Sequence, residues 1–119
     1  MSNDLTVMDL LVAGMRAEGQ RQQLIANNVA NINTDGYRRL DHNFEEVLAK
    51  AIDKNGSLDP EKLDYEPYQP LSTKINAQGS DVNLDHEVGE MVKNSLRHKT
   101  YMLLLKKKYQ QMDEAVNIR

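Results

Sequence analysis

The chain has 119 residues, 39% of them apolar, with one phenylalanine and no tryptophan, so it is one domain with material for only a modest core. It has no cysteine, which excludes disulfides, thiol catalysis and cysteine-based zinc sites. The net charge of −3 conceals an asymmetry: residues 1–90 carry sixteen acids and eight bases, residues 91–119 two acids and seven bases. The C-terminal segment is a positive element on a negative body, read either as a solvated helix face or as a complementary contact.

The N-terminus, MSNDLTVMDLLVAGM, has no basic leader and only a short apolar run. It does not read as a cleavable signal peptide, and no stretch is long enough to span a bilayer, so no direct membrane insertion is expected. Met8, Leu11, Met15, Glu18, Gln22, Ile25, Val29 and Ile32 are spaced alternately three and four apart, a heptad seam with two polar interruptions. A helix is predicted from about Thr6, as N-cap, to about Asn31. It ends in NNVANINTDGY, where asparagines crowd a helix whose interior they ordinarily disfavour. Asn27 and Asn31, four apart, share a face; their amides either bond a neighbouring subunit or merely terminate the helix. Thr34-Asp35-Gly36 then redirects the chain, with Gly36 expected at positive φ.

Residues 38–80 hold all three prolines and the turn signals KNGS and AQGS. Phe44 to Asp53 suits a short helix; the remainder reads as extended or loop, mobile or ordered only on assembly. A second heptad seam follows: Val88, Met91, Ser95, His98, Met102, Leu105, Tyr109, Met112 and Val116. It predicts a helix from about Leu84 to about Asn117, capped by Asn83 or Asp85. The expected fold is all-α: long N-terminal and C-terminal heptad helices forming a hairpin or coiled coil, joined by an irregular middle. The divisions are 1–37, 38–80 and 81–119. Pairing of the seams within one chain or between copies stays open.

Sites for chemistry are not found. DVNLDHE opens like a calcium loop, but His86 and Val92 occupy the places that need glycine and glutamate. His42, His86 and His98 lack metal-ligand spacing, and no nucleophile elbow or phosphate loop occurs. No catalytic residue, cofactor or metal is expected. LLLKKKY is a weak nucleic-acid signal on an acidic protein, and no nucleic-acid partner is expected.

In ANNVANINTDGYRR, residues 26–39, Ala26, Asn28, Ala30, Asn31, Thr34, Gly36 and Tyr37 fall in register on an amide-rich pattern. That pattern resembles the N-terminal signature of bacterial flagellar axial proteins, and the chain resembles most the basal-body rod protein family, in particular its short proximal-rod members. Asp81, Val82, Leu84, Asp85, Glu87 and the run Lys93-Asn94-Ser95-Leu96-Arg97 resemble that family's C-terminal region.

The resemblance covers both ends of the chain and leaves the middle unmatched. It implies a structural subunit of the rod that crosses the periplasm, exported by the flagellar type III apparatus without cleavage. It implies self-association and contact with other rod subunits and the adaptor at the rod base. The assembly interface expected on this reading takes Met8, Leu11, Met15, Ile25 and Val29 from the first seam. It takes Asn27, Asn28, Asn31, Thr34, Gly36 and Tyr37 from the turn. From the second helix come Val88, Met91, Asn94, Leu96, Met102, Leu105, Tyr109 and Met112. The other reading is a cytosolic coiled-coil adaptor or export chaperone, which, unlike a rod subunit, would not leave the cytosol.

Overall fold

A computed structural model describes residues 2–52, 54–58 and 62–117. Among the described residues there are three helices: α1 (Ser2–Ala30), α2 (Phe44–Ala51) and α3 (Leu84–Asn117). α1 and α3 form the expected hairpin. They run antiparallel, since Asn28 meets Glu87 at one end, Glu18 meets Asn94 midway, and Gly14 meets Tyr101 further along. The molecule is elongated, 66 × 26 × 15 Å.

The helix boundaries follow local chemistry. α1 starts at Ser2, four residues before the predicted cap, so Thr6 lies inside the helix rather than at its end. α3 starts where predicted, with Asn83 as its cap: Asn83 Oδ1 accepts the His86 amide at 3.0 Å, and the Asn83 carbonyl accepts the Glu87 amide at 2.9 Å. α2 ends at Ala51, with Ile52 as its cap, whose backbone turns extended (ψ 123°); Asp53, the predicted end, lies outside the described residues.

The predicted seams are half right in register. In α1, Leu11, Glu18 and Ile25 are buried, as their heptad positions require. The alternate row is shifted by one residue: Gly14, Arg21 and Asn28 are buried, Met15 and Val29 are half-buried, and Gln22 is exposed. Apolar periodicity could not find this row, because none of its three members is a large apolar residue. In α3 the side facing α1 runs through Glu87, Asn94 and Tyr101, one position behind the predicted row. Val88, Met91, Met102, Tyr109, Met112 and Val116 are exposed.

Residues 39–45 of the middle segment are bonded to the hairpin, and α2 packs within the middle segment. Phe44 and Ala51 of α2 are buried, and Tyr65 meets Phe44 edge-on with ring centroids 5.3 Å apart. Asp41 and Tyr68 form an antiparallel bridge through both backbone pairs, at 3.0 and 2.8 Å.

Candidate assembly surface

The asparagine turn is built from the inside out. Asn28 is 0% exposed. Its Oδ1 accepts the Leu40 amide at 2.9 Å while its Nδ2 donates to the Leu40 carbonyl at 2.9 Å, so one side chain pairs with a backbone residue as a strand neighbour would. Oδ1 also accepts the Tyr37 hydroxyl at 2.9 Å, and Nδ2 lies 3.3 Å from Glu87 Oε2. An amide alone among uncharged side chains donates and accepts on one planar edge, which is what an isolated backbone segment needs.

Outside this pair runs a second, solvent-facing layer. Asn27 Nδ2 donates to Tyr37 Oη at 2.9 Å, Asn31 Nδ2 to the Asn27 carbonyl at 2.8 Å, and Thr34 Oγ1 to Asn31 Oδ1 at 3.1 Å. The asparagines therefore have different duties. Asn28 is spent wholly within the chain; Asn27, Asn31 and Thr34 form a ladder at the surface.

Gly36 takes φ +74°, as expected, and its amide donates to the Gln78 carbonyl at 3.0 Å. Gly79, also at positive φ, lies against it, so close that a side chain there would touch the Gly36 backbone. The signature turn is thus held against the turn that leads into α3. Arg39 completes the lock: its amide donates to Asp81 Oδ1 at 2.6 Å and its Nε to Glu87 Oε1 at 2.7 Å.

Midway along the hairpin sits a buried ionic cluster. Arg21 pairs with Glu18 on its own helix, with Glu45 at 2.8 Å and with Asp41 at 3.4 Å. Burial opposes its charge, but the Glu45 hydrogen bond and the surrounding carboxylates outweigh burial and hold Arg21 above the usual guanidinium range. Burial also dominates at Glu18, holding its carboxyl above the ordinary range against the pull of Arg21 and Arg97. At Glu45 the balance reverses: burial raises it, but the Arg21 hydrogen bond brings the carboxyl below its ordinary value. His42 Nε2 donates to the Ala17 carbonyl at 2.7 Å, leaving Nδ1 to accept from the Phe44 amide at 3.3 Å. The cluster fastens the middle segment to α1. Among the described residues no group of three or more histidine, aspartate or glutamate side chains is placed to hold a metal ion.

The other feature is the apolar surface of α3. Met102, Leu105 and Tyr109 line an open groove of about 470 Å³ with Met15 of α1. Leu104 lines a second groove with Val7 and Leu11 on the opposite side of the hairpin. Lys106 and Lys107 stand at the rims of these grooves. Of the residues expected at an interface, Met91, Leu96, Met102, Tyr109 and Met112 are open to a partner, Met8, Met15 and Leu105 partly so. Leu11, Ile25, Asn28 and Asn94 are buried within the chain. Asn94 Nδ2 donates to the Glu18 carbonyl at 2.6 Å and so crosses the hairpin. Sequence reasoning missed Arg21, Arg39 and His42; a buried ion cluster has no periodicity by which to find it.

Comparison with known proteins matches residues 8–38 to the family described as flagella basal body rod protein. The chain is 28% identical over 107 residues to flagellar basal body rod protein FlgB of Buchnera aphidicola, covering 78% of this chain and 80% of the relative. It is 30% identical over 96 residues to FlgB of Borreliella burgdorferi, covering 66% and 71%. A shorter match, 38% identical over 45 residues, joins 38% of this chain to 17% of flagellar basal-body rod protein FlgG of Caulobacter vibrioides.

Proposed function

This chain belongs to the flagellar basal-body rod protein family and is a structural subunit of the rod; we propose that it works by polymerising through the exposed faces of its terminal helices. The observation that carries this is the outward apolar surface of α3, where Met91, Met102, Tyr109 and Met112 stand exposed along one flank of a long hairpin. A solvated monomer gains nothing from such a row; a tube of packed helices buries it. Neighbouring copies and other rod subunits cover that flank, with Met8, Met15, Val29 and Leu105 at its border. Asn27, Asn31, Thr34 and Tyr37 present the second contact, a hydrogen-bonding edge at the end of α1. Gly36 and the buried Asn28 shape that edge.

The subunit carries no chemistry of its own. It reaches the periplasm-spanning rod through the flagellar export apparatus without cleavage and sits near the adaptor at the rod base. Deletion of the gene tests the reading. The expected result is loss of rod, hook and filament together, restored by the intact gene; a deletion strain with complete flagella would overturn it.

A further inference from the structure

α3 has a second apolar face. At about 100° per residue, Glu87, Asn94 and Tyr101 point toward α1, and the row of Met91, Met102 and Tyr109 lies on one flank. Val88, Val92, Leu96 and Leu103 fall on the far side of the helix, 53%, 55%, 61% and 61% exposed. None of these four residues lines either groove beside α1.

The stripe is polar in its charge and uneven in its shape. Asp85 stands at one end and Lys107 at the other, both on the same side of α3 as Leu96. Gly89 lies on that side too, exposed, with open space where a Cβ would stand. Turned end for end and laid on itself with Leu96 facing Leu96, the stripe brings Asp85 to Lys107 of the other copy. The same register drops Leu103 onto the bare backbone of Gly89. A parallel pairing would instead set Asp85 beside Asp85, lysine beside lysine and Leu103 against Leu103. The one charge within the stripe, Lys99, has a long apolar stem that can lie along the contact with its ammonium at the rim.

We propose that the outer stripe of α3 pairs antiparallel with the same stripe of a second copy, forming a two-fold dimer of the free chain centred on Leu96. Such a contact is self-complementary, as two-fold symmetry requires. Its small area makes the association weak and reversible. It keeps the stripe from water in chains outside the rod, and it stands whether or not the rod reading does.

The absence of native cysteine makes the test direct. Under mild oxidation, purified Leu96→Cys chains are expected to form a disulfide dimer. Gly89→Cys chains alone are expected to stay monomeric, and Gly89→Cys mixed with Leu103→Cys is expected to give the mixed dimer. Sedimentation of the unmodified chain should move from the mass of one chain toward twice that mass as concentration rises. Leu96→Glu should hold it at one chain with unchanged helix content. Asp85→Lys should weaken the dimer, and adding Lys107→Asp should restore it. Gly89→Cys alone joining as readily as Leu96→Cys would overturn the antiparallel register. A folded chain that stays at single-chain mass at every concentration would overturn the dimer itself.

Discussion

The Tyr101 ring lies directly on the backbone of Gly14, in the space that any side chain at that position would occupy. Tyr101 is half-buried there, and burial holds its hydroxyl above the ordinary tyrosine range. This contact sets how closely α1 and α3 approach. Gly14→Ala forces the ring to move and is expected to destabilise the hairpin by about 1–3 kcal/mol. Gly19→Ala, in the same helix but with nothing near its missing side chain, is expected to stabilise by roughly 0.5–1 kcal/mol, because alanine is the better helix former. Urea unfolding of the two variants should therefore shift in opposite directions. Shifts of the same sign and size would mean that the Tyr101 contact is not what matters at Gly14.

Asn28 is expected to be the least replaceable of the asparagines in the free chain. Asn28→Ala leaves the Leu40 amide and carbonyl without their partner, at about 1–3 kcal/mol for each group that stays dry. Asn28→Asp keeps the acceptor, loses the donor and places a charge beside Glu87, so it should be at least as damaging. Asn31→Ala, at the surface, should leave monomer stability within about 0.5 kcal/mol while reducing motility. Denaturation and swimming assays on the same variants separate these roles. Equal destabilisation at positions 28 and 31 would contradict the two-layer arrangement.

Gly36 and Gly56 both have positive φ, +74° and +79°. Valine at either position should therefore lower monomer stability by roughly 1–2 kcal/mol. Motility should separate them. A Cβ at either position meets open space, but Gly36 belongs to the turn that follows Asn31 and Thr34 and bonds the Gln78 carbonyl, whereas Gly56 lies in the middle segment away from the proposed contact. Gly36→Asn should be milder than Gly36→Val, since asparagine tolerates this conformation better. Equal motility for Gly36→Val and Gly56→Val at matched protein levels would remove the assembly role of the turn.

The ionic cluster gives the acid limb of stability two opposed parts. Glu45 has its folded-state carboxyl below the ordinary value of 4.5, so its contribution is present above that value and is lost as pH falls through the folded one. Glu18 has its folded-state carboxyl raised above 4.5, so it takes up a proton first, and stability rises as pH falls through that raised value. The unmodified chain should gain slightly and then lose stability on acidification. Thermal melts from roughly pH 7 to pH 3 check this: Glu18→Gln should abolish the early gain, and Glu45→Gln should blunt the later loss. A monotonic fall unaffected by Glu18→Gln would contradict the assignment.

Met102 separates folding from assembly. It is 48% exposed, so Met102→Asp should leave the monomer's circular dichroism and melting nearly unchanged. In the rod the same charge would enter a packed apolar contact, a penalty of several kcal/mol per subunit if the site is dry, and motility should be lost. Normal swimming by cells that export the variant would show that this flank is free in the rod.

Local sequence by itself determined that there would be two long helices, where α3 begins, and that Gly36 would turn the chain. These are properties of short windows: a heptad rhythm, a cap, a residue that alone accepts positive φ without strain. Which side of each helix faces inward was decided only in three dimensions. Gly14 is buried because Tyr101, 87 residues later, lies on it. Arg21 is buried because carboxylates from two parts of the chain meet it, and Asn28 because Leu40 offers it a free backbone edge. Burial of a polar or absent side chain depends on partners that proximity in sequence does not supply, so the rhythm of apolar residues pointed one position away from the buried row. Most of the large apolar residues it did find on α3 face outward, on the surface proposed for assembly.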